Sequence, residues 1–346
     1  SRTLNRDRPP RTLEATPPHL TLLSFSCSAS PAVSNLATDA VLIGLGKPDG
    51  GVRPIAMGEV LLRIAGTLLI SKHLGSLRQH FDRRQFALEK NGAETIVHAV
   101  RKRVREDDDV CVVALDCANA FNTLNRDAIK KALAGQFSGM RGFFKTAYSK
   151  PSRLLLRSGD SWKIIDSSHG GKQGDSAMPA FFSLAIHSAI EGNHTGVDVF
   201  AFMDDITIVG NAKLAGPVIK EIEQKLADVG LKLNRKKCEV YGTGSKELAD
   251  AFSFSRNESG IKILGAWIAR DEHRAATKAF LKKQLAKHLE MLEKLPPLDP
   301  DVAFPLLQSC AVPRWNFLVR THEPADTAEA TELFDQDRKS TRLNSS

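Results

Sequence analysis

Two adjacent aspartates, Asp204 and Asp205, separate two apolar runs, Val197–Phe202 and 206–209. Val, Ile, Phe and Thr favour strands, and a short polar break between two such runs predicts a hairpin with the acids at its tip, facing one solvent pocket. Carboxylates that close repel, and at least one is pushed towards its protonated form unless a divalent cation neutralises the pair. The pair therefore points to a metal site, although most Asp-Asp pairs are solvated turn residues. A third acid changes the balance. The run 110–115 is wholly apolar and ends in Asp116, and a carboxylate closing a buried strand is paired, solvated or metal-bound, because an unpaired interior charge is expensive. Three aspartates on neighbouring strand ends could hold two Mg²⁺ ions, which prefer carboxylate oxygen and keep sites for phosphate and water.

Between the two acidic segments runs His169-Gly170-Gly171-Lys172-Gln173-Gly174-Asp175, followed by Pro179 and an apolar stretch that opens like a helix. Its glycines allow close approach of backbone to a ligand. In this order the residues resemble the palm of a reverse transcriptase, of the kind encoded by non-LTR retrotransposons, with group II intron enzymes as more distant relatives. Leu115-Asp116 through Ala120-Phe121-Asn122-Thr123 resembles the first catalytic motif, and Gln173-Gly174-Asp175 with Pro179 resembles the loop and helix under the incoming nucleotide. Phe202-Met203-Asp204-Asp205 resembles the aromatic-x-Asp-Asp turn, residues 230–238 the lysine-bearing motif, and Ile263-Leu264-Gly265 the primer-grip hairpin. Upstream, residues 47–56 followed by Glu59-Val60-Leu61 are similar to the fingers motif. The departures are Ser176-Ala177-Met178, where relatives carry a Pro-Leu-Gly-like stretch, and Met203, where they often carry alanine.

The resemblance implies an α+β right-hand polymerase: fingers, a palm whose antiparallel sheet is backed by helices, and the start of a helical thumb. It implies RNA-directed DNA polymerase activity, a nucleotidyl transfer of dNTP onto a primer 3′-hydroxyl with Mg²⁺ or Mn²⁺ held chiefly by Asp116 and Asp204, and with Asp205 as a third ligand. Lys47 and Arg53 become charge partners of the triphosphate, and Gln173 and Gly174 nucleotide contacts. Lys237 is the candidate general acid for pyrophosphate, with Lys236 as its competitor. Phe121 implies deoxynucleotides, since a bulky ring under the sugar leaves no room for a 2′-hydroxyl, whereas RNA-copying RNA polymerases carry an acid there. The implied partners are an RNA template, a DNA primer or target DNA, and dNTP. The expected location is intracellular, and nuclear for a eukaryotic retrotransposon. An intron-encoded or retron-like reverse transcriptase, and a non-catalytic nucleic-acid-binding relic, stay open as alternatives.

Composition agrees. A formal charge of +8 and a pI near 9.2 favour a polyanionic partner. Cys27, Cys111, Cys117, Cys238 and Cys310 have no metal-knuckle spacing, so reduced thiols are expected. No apolar run is read as a membrane span, and no membrane partner is expected. Residues 1–38, rich in Ser, Thr, Pro and Arg, read as a flexible segment; 39–268 as fingers and palm; 269–325 as thumb-like helices; and 326–346 as a tail. Within that tail, 337–346 resembles one reading frame of a sequencing-library adapter and is set aside, so the natural protein is expected to continue. Helical spacing of Ile96, Val97, Val100 and Val104 accompanies Arg101, Lys102, Arg103 and Arg105, which either touch template phosphates or form a solvated helix face. Residues 215–229 predict a second amphipathic helix, and 275–295 a third, with Lys278, Lys282, Lys283 and Lys287 on one face, which either tracks duplex phosphates or belongs to a plain helical hairpin. A further apolar segment, 302–319, follows.

Overall fold

The structure, a computed structural model, describes residues 38–47 and 50–343; the segment expected to be flexible lies outside them except for Thr38. The chain folds as two compact units, neither continuous in sequence: the described residues up to Lys72 with Arg126–Met178, and His73–Asn125 with the residues from Pro179 onward. The range 39–268 is thus shared between both.

The first unit is built on a four-stranded sheet of order β2-β1-β4-β5, with β1 Ala40–Gly46, β2 Val52–Gly58, β4 Ser152–Ser158 and β5 Ser161–Ser167. β1 and β2 form an antiparallel hairpin that sets Leu45 opposite Arg53, while β1 and β4 run parallel. Pro54 is tolerated because β2 is an edge strand, where a missing N–H costs no ladder bond. The helix Val60–Phe81 begins in this unit and ends in the other. By length and composition it could cross a membrane, which corrects the reading that no apolar run approaches a span. Its last turns are nonetheless core, with Leu77 and Phe81 buried.

The second unit centres on a five-stranded sheet, β6-β7-β3-β8-β9, made of β3 Cys111–Leu115, β6 Val197–Phe202, β7 Asp205–Gly210, β8 Glu239–Gly242 and β9 Ser255–Asn257. β3 is the middle strand, antiparallel to β7 and β8. Covering on both sides explains its unbroken apolar run, in contrast to the alternating burial of β6. The helix Gly92–Glu106 packs Ile96, Val97, Val100 and Val104 into a core with Val112, Val209 and the hairpin of β10 Ile261–Ile263 and β11 Ala266–Ile268. The helix Ala212–Asp228 buries Ala215, Ile219, Ile222 and Leu226, and its Asn211 cap accepts from Lys213 N at 2.9 Å.

The basic cluster on Gly92–Glu106 has partners within the protein, while Lys102 and Arg105 also stand exposed on the helix surface. Buried Arg101 donates to the Trp267 and Thr321 carbonyls at 3.0 and 2.6 Å. Arg103 pairs with Asp198, Arg105 with Glu323 and Lys102 with Glu106. These cations are engaged within the protein, and three of them tie the helix to other elements.

After β11, the helix Arg274–Leu292 buries Leu281, Leu285 and Leu292, while Lys278, Lys282, Lys283 and Lys287 are exposed. The expected segment 302–319 is broken into Pro300–Leu306, a π-helical turn Leu307–Ala311 and Val312–Thr321. Pro313 has no N–H to give, and the backbone slips by one residue ahead of it, so that Val312 N donates to Leu307 O. A tail was expected from 326, but the chain forms the helix Pro324–Leu343, which runs into the residues set aside as adapter-like. Its Phe334 is buried and stacks on Trp315 with centroids 5.3 Å apart.

Candidate active site

Strand register assembles the acids. β3 and β7 pair Leu115 with Ile206, so one step further along the ladder brings Asp116 beside Asp205, with side chains on a common face. Asp205 is the first residue of β7, paired with Phe202, and the turn itself is Met203-Asp204. The two consecutive aspartates therefore differ in setting. Asp205 lines an open cavity of about 410 Å³ together with Leu115, Phe202, Lys262, Leu264 and Gly265.

The three charges act on one small volume. Asp205 is raised to about 6, first by the surrounding protein and then by the negative charges of Asp204 and Asp116. Its side chain remains open to water at the cavity mouth, which screens the repulsion and moderates its energetic cost. The same aspartates, after burial itself, push the neighbouring Cys117 thiol up to about 12. Among the described residues no three His, Cys, Asp or Glu side chains are drawn into a ligating group, and the charges of Asp116 and Asp204 act on Asp205. By donor type and by their mutual repulsion they fit a hard divalent cation.

The lysine-bearing segment closes over the backbone of Asp116. Asn234 N donates to Asp116 O at 2.8 Å, Asp116 N donates to the Cys238 sulfur at 3.4 Å, and Ala118 N donates to Lys232 O at 2.9 Å. Lys236 and Lys237 follow on this loop, both exposed. Phe121, on the short helix Ala120–Thr123, stacks on fully buried Phe182 with centroids 4.6 Å apart and planes at 16°. The ring is thus held rigid from one side.

Lys47, Arg53, Gln173 and Gly174 all belong to the first unit. Arg53 is exposed on β2, and Lys47 opens the turn to β2, its N donating to Gly51 O at 2.7 Å. Pro48 and Asp49 of that turn lie outside the described residues. Gln173 O accepts from Ala56 N at 2.7 Å, fastening the glycine loop to β2. Gly174 has φ +115, and a Cβ there would sit 2.6 Å from Ala56 O. The side-chain Oε1 of Gln173 is buried without a hydrogen-bond partner, an acceptor left for something else.

Several residues that shape these elements carry no sequence signal of their own. Arg126 donates to the carbonyls of Tyr148, Ser167, His169 and Gly170, and stacks over the Tyr148 ring at 5.1 Å. Tyr148 donates its hydroxyl to Asp175, whose other oxygen caps Ala177 N. Lys172, read only as part of a glycine loop, is buried, lowered to about 8 by that burial, and donates to Thr38 O at 2.6 Å.

Residues 45–268 match the family described as reverse transcriptase (RNA-dependent DNA polymerase). The chain belongs to this family. Reverse transcriptases work with divalent metal ions, as the donor set accommodates. This reverse transcriptase is 24% identical over 311 residues to the retrotransposable element SLACS 132 kDa protein of Trypanosoma brucei gambiense, a match covering 84% of the chain and 25% of that protein. The chain thus spans about a quarter of the length of the curated relative it matches. Together the two matches support the non-LTR retrotransposon type that the motif order implies. Among solved structures, telomerase from Candida albicans in complex with a TWJ fragment of telomeric RNA superposes with TM-score 0.52 at 11% identity, over 89% of this chain and 60% of that one. The corresponding Candida tropicalis telomerase complex gives 0.52 and 11%, over 85% and 55%. At this identity the likeness is one of fold, and the fold is the right-hand polymerase.

Proposed function

We propose that the chain is the polymerase segment of a non-LTR retrotransposon protein, catalysing RNA-directed DNA synthesis on an RNA template from a DNA primer or target DNA. The observation that carries this reading is the register of β3 and β7, which sets Asp116 beside Asp205 while the adjoining turn presents Asp204. Asp116, Asp204 and Asp205 are the residues to hold Mg²⁺, or Mn²⁺ in its place. When bound, the cation supplies a lowered pKa for the primer 3′-hydroxyl and neutralises charge on the triphosphate. The 3′-hydroxyl loses its proton to solvent water as its oxygen attacks the α-phosphorus, the bond from that phosphorus to the bridging oxygen of the β-phosphate breaks, and Lys237 gives the departing pyrophosphate a proton. Phe121, braced by Phe182, rejects the 2′-hydroxyl. Lys47 and Arg53 pair with the triphosphate, and Gln173 and Gly174 contact the nucleotide. The protein acts inside the cell, and in the nucleus if its host is a eukaryote.

Primer extension on an RNA template with Mg²⁺ and either dNTP or rNTP, comparing the chain with Asp204→Asn, tests the proposal. DNA synthesis that the substitution abolishes is the expected result. Primer-template binding without extension under any nucleotide would make the chain a binder, and extension with rNTP alone would overturn the reverse-transcriptase assignment.

A further inference from the structure

The turn that carries Asp204 is held by a side chain far from it in sequence. Gln85 is 1% exposed, and its amide grips the backbone of Met203 from both sides: Oε1 accepts from Met203 N at 2.8 Å and Nε2 donates to Met203 O at 3.2 Å. Oε1 also accepts from Ala87 N at 3.2 Å, which fixes the orientation of the amide. The segment around Gln85 runs alongside β6, with Phe86 N donating to Ala201 O at 2.8 Å and Ala201 N to Arg84 O at 2.7 Å. Gln85 thus continues, through its side chain, a ladder that the backbone can no longer supply beyond β6. It does so at a residue that needs support: Met203 has φ +56, a left-handed conformation that a long side chain disfavours.

We infer that Gln85 is a positioning residue for catalysis, fixing the left-handed Met203 so that Asp204 and Asp205 leave the turn in the orientation that receives a divalent cation. The inference rests on the proposed metal role of these aspartates. Gln85 touches neither substrate nor cation in this role, and acts only through the Met203 peptide.

The test uses the whole chain, with Mn²⁺ as the probe, its free concentration followed by electron paramagnetic resonance. Gln85→Met fills the same space without the amide's three hydrogen bonds to Met203 and Ala87 and is expected to weaken Mn²⁺ binding roughly tenfold, the factor that one or two of the lost bonds carry. Adding Met203→Gly to that variant is expected to recover most of the affinity, because glycine takes a positive φ without strain. A merely structural role for Gln85 would not be rescued in this way. Equal affinity of Gln85→Met and the unaltered chain, with Asp204→Asn losing Mn²⁺, would overturn the inference alone. Unchanged binding in Asp204→Asn would instead refute the metal reading and the inference with it; if Gln85→Met does not fold, hydrogen exchange decides, because in the unaltered chain the Met203 amide must exchange slowly and an unprotected amide there overturns the inference.

Discussion

Replacing Gly174 with alanine opposes two costs that can be separated by comparison with Gly159. At Gly159, in the β4–β5 turn, φ is +62 and an added Cβ meets nothing within 4 Å, so Gly159→Ala carries only backbone strain, about 1 kcal/mol. Gly174 has φ +115, and its Cβ would also lie 2.6 Å from Ala56 O, a backbone atom that cannot rotate aside. To restore ordinary contact the loop must retreat by most of an ångström. That displacement breaks the bond from Ala56 N to Gln173 O, now 2.7 Å, at a further cost of about 1 kcal/mol. With the greater strain of a glycine-only conformation, Gly174→Ala should cost about 2–4 kcal/mol. Urea denaturation of both variants, followed by peptide-resolved hydrogen exchange in residues 52–58 and 168–176, measures the difference. Primer extension should show a raised KM for dNTP in Gly174→Ala and none in Gly159→Ala. If the two variants lose stability within about 0.5 kcal/mol of each other, the close approach of loop and β2 is not what makes glycine necessary.

Two further outcomes are expected. Asp205, with its folded pKa raised to about 6, binds more protons in the native than in the unfolded state between about pH 4 and 6, so its contribution makes the metal-free protein less stable as pH rises through that window. The buried His187 and His322, both lowered to about 4, act in the opposite sense between about pH 4 and 6.5, and thermal melts of the chain against Asp205→Asn isolate the carboxylate. Mg²⁺ should raise Tm more at pH 7 than at pH 5, where Asp205 is largely protonated, and an equal rise at both would contradict the raised pKa. Phe121→Val should lower discrimination against rNTP by at least about tenfold in single-nucleotide extension, and unchanged discrimination would show that the ring stacked on Phe182 is core rather than a sugar gate.

What was legible in the chain was local. The acidic hairpin declared itself because strand, turn and strand lie within fourteen consecutive residues, and β3 because a middle strand covered on both sides reads as an unbroken apolar run. The partners of the basic cluster on Gly92–Glu106 were not legible because helical periodicity reports which face a cation occupies and nothing about what faces it. The acids and carbonyls that engage Arg101, Arg103 and Arg105 come from Asp198, Trp267, Thr321 and Glu323. The last helix was not legible because few of its residues are apolar, yet Phe334 stacked on Trp315, buried Thr327 and the Arg274–Asp326 pair seat it.

The division into units was hidden for a related reason. β1 pairs in parallel with β4, and parallel partners need a long connection. Here that connection includes the whole stretch from His73 to Asn125, which belongs to the other unit and carries Asp116. The second crossing, after Met178, returns the chain to that unit before β6 and β7 are made. One unit thus supplies Asp116, Asp204, Asp205, Phe121 and Lys237, while the glycine loop and the cationic hairpin fold with the other. Motif order along the chain is therefore no guide to which motif shares a core with which. Gln85 illustrates the point at single-residue scale: its partner is a peptide bond 118 positions away, and because that peptide would be the same whatever side chain stood at 203, no pattern of residue types could have announced the contact.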